Sequence, residues 1–81
     1  MEYYLITFQS THDAIVSKQY LGEKLPIVIM PTLREISNSC GISIRVQEGH
    51  DKMARELMEK GPVREYKMYK IAKDAITCIT E

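Results

Sequence analysis

Apolar and polar positions along the chain alternate with two periods, and the boundaries between them mark the secondary structure. YYLITF, Tyr3 to Phe8, is a run of β-branched and aromatic residues between polar neighbours, the composition of a strand. Within it Tyr3 and Leu5 point to one face of a sheet, and Tyr4, Ile6 and Phe8 to the other. STHDAIVSKQYLGEK follows. Ser10 suits an N-cap, Asp13 stands at the capping-box position, and Gly22 supplies a stop, so a helix is predicted. Its apolar residues Ala14, Ile15, Val16, Tyr20 and Leu21 are spread too widely for a clean stripe. IVIM, Ile27 to Met30, reads as a short buried strand between Pro26 and Pro31. From Ile42 to Gln47, Ile42, Ile44 and Val46 alternate with Ser43, Arg45 and Gln47, which predicts a strand with one apolar and one polar face.

HDKMARELMEKGP has the clearest helical period. Asp51 is placed to cap it, Met53, Ala54, Leu57 and Met58 recur at i, i+3, i+4 spacing, and Gly61 followed by Pro62 ends it. Met53 and Met58 are accordingly read as core. YKMYKI, Tyr66 to Ile71, is the last strand, and AKDAITCITE fits either a strand extension or a short helical tail. Cys78 within it is read as a packing residue. No repeat, low-complexity stretch or linker interrupts the chain, so residues 1–81 read as one domain. The order βαββαβ predicts an α+β, ferredoxin-like split βαβ sandwich, with a four-stranded antiparallel sheet and two helices on one face. Right-handed crossovers place the first and third strands in the centre and the second and fourth at the edges. The start of the third strand then lies beside the end of the first, where the chain enters the first helix at Ser10.

Composition narrows the function classes. Eleven basic residues balance eleven acidic ones, so no electrostatic footprint for nucleic acid or an anionic membrane exists. With 44% hydrophobic and 27% charged residues the chain is of ordinary globular composition. No apolar run approaches the roughly 20 residues that span a bilayer, and MEYYLITF lacks the basic start of a signal peptide. A cytoplasmic location is expected, with thiols kept reduced. The two cysteines have no partner at metal-ligand or CxxC spacing, so neither a disulfide scaffold nor a metal site is expected. No cofactor is expected either.

The candidate chemistry lies in PTLREISNSCG, residues 31–41. A lone cysteine is often a small buried hydrophobe, but Cys40 sits among Ser37, Asn38, Ser39 and Gly41, which favour a polar, accessible loop. The predicted topology brings it towards the positive end of the first helix, with His12 nearby, and both features raise the thiolate fraction. Ser37 and Ser39 offer hydroxyl donors, Arg34 a cation that favours a thiolate or persulfide, and Gly41 room for another molecule at the sulfur. Arg34 and Glu35 also fit a solvated surface pair, worth about 0–1 kcal/mol. His12 and His50 both flank helix starts, where a capping or surface role is the simpler reading.

PTLREISNSCGISIR resembles the motif of a family of small domains described as selenium/sulfur carrier-like. The resemblance covers nearly the whole chain: TFxSTHDA at the end of the first strand, the cysteine loop, and then an I-x-I-x strand. The family loop reads Pro-Thr-Pro-Arg-Glu-x-Ser-x-x-Cys-Gly, which Pro31, Thr32, Arg34, Glu35, Ser37, Cys40 and Gly41 match, while Leu33 replaces a proline. The resemblance implies a carrier thiol on Cys40 rather than a true catalyst. Thr32, Arg34, Glu35, Ser37, Ser39 and Gly41 would form its binding surround, and a cysteine desulfurase or selenium donor and an acceptor protein would be its partners. The alternative is a non-catalytic interaction or assembly module. Apolar groups on the uncovered sheet face, Leu5 among them, would then pair two copies or dock a partner.

Overall fold

A computed structural model describes residues 2–31, 41–73 and 75–79. Its elements run β1 (Tyr3–Phe8), α1 (Thr11–Gly22), β2 (Ile27–Pro31), β3 (Ile42–Gln47), α2 (Asp51–Lys60), β4 (Tyr66–Ala72) and β5 (Ala75–Cys78). The fold is α+β, with two helices and a five-stranded antiparallel sheet in the order β2-β3-β1-β4-β5. The first four strands take the expected positions, β1 and β3 inside. The expected four-stranded sheet is corrected in one respect: the tail turns back after β4 and adds β5, so β4 is not an edge. Ala72 pairs with Ala75 and Tyr69 with Cys78, and Ile79 continues the ladder by donating to the Met68 carbonyl at 2.9 Å.

Both helices cover one face. Tyr4, Ile6 and Phe8 of β1, Ile44 and Val46 of β3 and Met68 of β4 share one apolar cluster with Ala14 and Leu21 of α1 and Ala54 and Met58 of α2. Burying each of the larger side chains contributes about 1.5–3 kcal/mol. The diffuse apolar pattern of α1 has its reason here: its buried residues are Ala14, Ser17 and Leu21, an i, i+3, i+7 line of mostly small side chains. Ser10 caps α1 as expected, its Oγ accepting from the Asp13 amide at 3.2 Å.

Several details of α2 differ from expectation. His50, not Asp51, occupies the N-cap, without a side-chain capping bond, and Asp51 begins the helix, where its charge still favours the N-terminus. Met53 is exposed, because the buried line centres on Ala54 and Met58 with Leu57 beside them, and Met53 falls outside that arc. Gly61 is extended (φ −82°, ψ 177°) rather than left-handed. Pro62 disfavours the helical region for the residue before it. The reason for a glycine there is close packing: a Cβ would lie 2.8 Å from Tyr20 Cε2 and 3.1 Å from the Leu57 carbonyl oxygen.

Candidate functional site

The expected site falls on the connection between β2 and β3. Cys40, Thr32, Arg34, Glu35, Ser37 and Ser39 lie outside the described residues; Gly41 is described. The two stems of that connection are paired with each other, Pro31 opposite Ile42. Beside them, Thr7 near the end of β1 faces Ser43 near the start of β3. The expected adjacency therefore holds at the level of the backbone: β3 begins where β1 ends, and two residues after β1 the Ser10-capped end of α1 presents its free amides and partial positive charge. His12 lies exposed in the first turn of α1. His50 is at the other end of the sheet, its Nδ1 buried without a hydrogen-bond partner.

Gly41 is exposed, and a Cβ built on it meets nothing within 4 Å among the described residues. Among the described glycines a left-handed φ is found at Gly49 (φ 98°). The described residues therefore make no steric demand for glycine at 41, and on their side the space beside it is open. Thr7 and Ser43 are buried next to these stems, on the face away from the helices. Thr7 Oγ1 donates to the Lys67 carbonyl at 3.5 Å. The alternation of β3 had assigned Ser43 to an open polar face.

The helix-free face is set by register. Leu5 lies opposite Arg45 on one side and Tyr69 on the other. Beyond these, Val28 faces Arg45 and Cys78 faces Tyr69, which makes one row across five strands. A second row holds Ile76, Ile71, Tyr3 and Gln47. Leu5 is on the expected face but fully buried, flanked by large neighbours, so it belongs to the interior and not to a docking surface. The exposed apolar residues of this face are Val28 (53%) and Ile76 (37%). Cys78 is also exposed, which corrects its reading as a packing residue: the tail pairs with the edge that β4 offers and becomes the outermost strand, β5, where its side chains stay open.

Charge at the Tyr3 end was not anticipated. The Arg45 guanidinium rests over the Tyr3 ring, 4.6 Å from its centroid, and Lys70 Nζ lies 3.3 Å from Glu2 Oε1. That carboxylate accepts a hydrogen bond from Lys70 and holds its ammonium above the ordinary value. The signal available in the sequence was a charged arginine, Arg45, in the middle of the polar face of β3. Tyr66, partly buried, has its phenol raised above 10.0, chiefly by burial and then by Glu59, with Arg55 opposing. Among the described residues no three His, Cys, Asp or Glu side chains are grouped to hold a metal ion. Among them no helix is long and apolar enough to cross a membrane.

No curated protein and no solved structure matches the chain. Residues 3–70 match the model of the family described as "Putative Se/S carrier protein-like", a span that takes in the whole cysteine motif at 31–41, and the chain belongs to that family.

Proposed function

We propose that the protein carries sulfur or selenium as a persulfide, or its selenium counterpart, on Cys40, within a ferredoxin-like fold extended by β5. The observation that carries this reading is the family match, which runs through the motif containing the thiol. In the transfer, the Cys40 thiolate attacks the terminal sulfur of a donor persulfide. A new S–S bond forms, the donor's own S–S bond breaks, and the donor cysteine leaves as a thiolate. The exchange is neutral in electrons and needs no cofactor. The reverse attack by an acceptor thiolate on the terminal sulfur of Cys40 releases it. The space that the described residues leave open at Gly41 and the capped end of α1 near the start of β3 support both steps, the first by access and the second by favouring negative sulfur.

Because Cys78 is exposed, accessibility alone cannot select Cys40, and the test must separate the two. The protein is incubated with a cysteine desulfurase and cysteine, then mapped by mass spectrometry as wild type, Cys40→Ser and Cys78→Ser. One added sulfur atom on the Cys40 peptide is expected in the wild type and in Cys78→Ser, and none on Cys40→Ser. Loading on Cys78 instead, or on neither, overturns the assignment.

A second reading is favoured by the helix-free face: a homodimer formed through Val28, Ile76 and the aromatic residues between them. Exposed apolar side chains at these positions would be covered by the same face of a second copy. The two readings are compatible, since a carrier must also dock.

A further inference from the structure

The cysteine loop does not account for the other end of the sheet. There a cavity of about 320 Å³ is lined by Glu2, Tyr3, Arg45, Gln47 and Glu48. β3 separates it from the loop: Gly41 precedes the strand and Gln47 ends it, a length of about 20 Å for six residues. Arg45 is partly buried. Its Nε is fully covered without a hydrogen-bond partner, and its guanidinium is stacked on Tyr3. The covered Nε is closed to a ligand, so the reachable donors are the terminal Nη1 and Nη2, and a guanidinium fixed in one plane on Tyr3 offers these two as a fork to a carboxylate. Leaving a charged donor desolvated and unpaired costs more than leaving a neutral one. Neither Glu2 nor Glu48 supplies the partner, although both line the same cavity; Glu2 is engaged by Lys70.

The charges of the lining decide the ligand class. Glu2 is paired with Lys70, whose ammonium also feels Glu48, and the lining itself carries one cation, Arg45, beside the carboxylates of Glu2 and Glu48. A phosphate or other dianion would satisfy Arg45 but meet the carboxylate of Glu48. A molecule with one carboxylate and one ammonium meets both, and the volume is at the lower end of the roughly 300–1,000 Å³ of small-molecule sites. We infer that this cavity is a binding site for a free α-amino acid, its carboxylate held by Arg45 over Tyr3 and its ammonium by Glu48. The site is separate from the sulfur-carrying loop, and the inference stands without the carrier reading.

The test is an amide-resolved NMR titration of the full chain with L-serine, and with acetate and ethylamine as compounds carrying one charge each. L-serine is expected to move the amides of Tyr3, Arg45, Gln47 and Glu48 in a saturable way, with acetate and ethylamine at least tenfold weaker. Arg45→Met keeps the length and packing of the side chain and should weaken binding at least tenfold. Glu48→Gln, at an exposed position where folding is not at stake, should weaken L-serine but leave acetate unchanged. Acetate binding as tightly as L-serine, an unchanged affinity in Glu48→Gln, or no saturable shift at these residues each overturns the inference.

Discussion

Replacing Gly61 by alanine tests the packing of the two helices against each other. The backbone at Gly61 suits any residue, so the loss of unfolded-state entropy would by itself stabilise the alanine variant by about 0.4–1 kcal/mol. Against this stands the added methyl, 2.8 Å and 3.2 Å from Cε2 and Cδ2 of Tyr20 and 3.1 Å from the Leu57 carbonyl oxygen. The Tyr20 ring could give way, but it packs on the core and holds the Lys24 ammonium 4.4 Å from its centroid. The carbonyl belongs to the last turn of α2, where the Gly61 amide donates to Met58 at 3.3 Å. Overpacking of this kind costs about 1–3 kcal/mol, so the net expectation is a loss of about 1–2 kcal/mol. In a domain of this size that lowers Tm by about 4–16 °C, at about 4–8 °C per kcal/mol. Thermal and urea unfolding followed by circular dichroism measure it. In a Tyr20→Ala background the same substitution should cost at least about 1 kcal/mol less, because the ring contacts are gone. An unchanged or raised Tm for Gly61→Ala, or equal costs in both backgrounds, would refute the reasoning.

Gly41→Ala should leave Tm unchanged or slightly raised, since its Cβ meets no described residue within 4 Å, while slowing persulfide loading from a desulfurase; an unaltered loading rate removes the role given to that space. Val28→Lys should convert a dimer to a monomer in light-scattering chromatography with Tm nearly unchanged, whereas Leu5→Lys should unfold the protein, because Leu5 is fully buried. Tyr66 has a raised phenol, so its contribution is complete below pH 10.0 and is lost as pH rises through the higher folded value. Tyr66→Phe should therefore flatten the fall in Tm above pH 10 and leave the neutral range unaffected, and an unchanged alkaline slope would refute this. Non-reducing peptide mapping of the native protein should find no Cys40–Cys78 bridge; a crosslinked peptide would mean that the sheet register near β5 is wrong.

Elements with a strong period were legible in the sequence. The alternation from Ile42 to Gln47 and the α2 pattern place β3 and α2 within a residue of the observed bounds, and Ser10 caps as its chemistry dictates. What was missed depends on neighbours distant in sequence. AITC is four residues long and fits either period, so β5 becomes recognisable only beside the edge that β4 offers. Alternation assigned Leu5 to the correct face but not its burial, which depends on the size of Arg45 and Tyr69 across the strands. Gly61 was assigned a conventional helix-ending role, while its real constraint is Tyr20, forty-one residues earlier by number (61 − 20) and adjacent in space. The cysteine motif was legible as a motif, since its residues are contiguous. The pairing of Arg45 with Tyr3 was not, because it requires the β1–β3 register.

The return of the tail along β4 bears on how a loaded carrier would discharge. In the row Cys78–Tyr69–Leu5–Arg45, three strand spacings separate Cys78 from Arg45, about 14 Å in all. Ile42 lies three residues further along β3, about 10 Å, so the diagonal from Cys78 to Ile42 is about 17 Å. Cys40 is two residues beyond Ile42 and its Cα can lie at most about 7 Å from it. At least about 10 Å remains, more than the roughly 7 Å a disulfide tolerates between Cα atoms. β5 thus brings the second thiol closer than a tail leaving the sheet would, yet holds it short by hydrogen bonds along β4. An internal attack of Cys78 on a persulfide at Cys40 would require unzipping that edge. On the proposed carrier reading, release would go to an external thiol, for which the described residues leave the approach at Gly41 open.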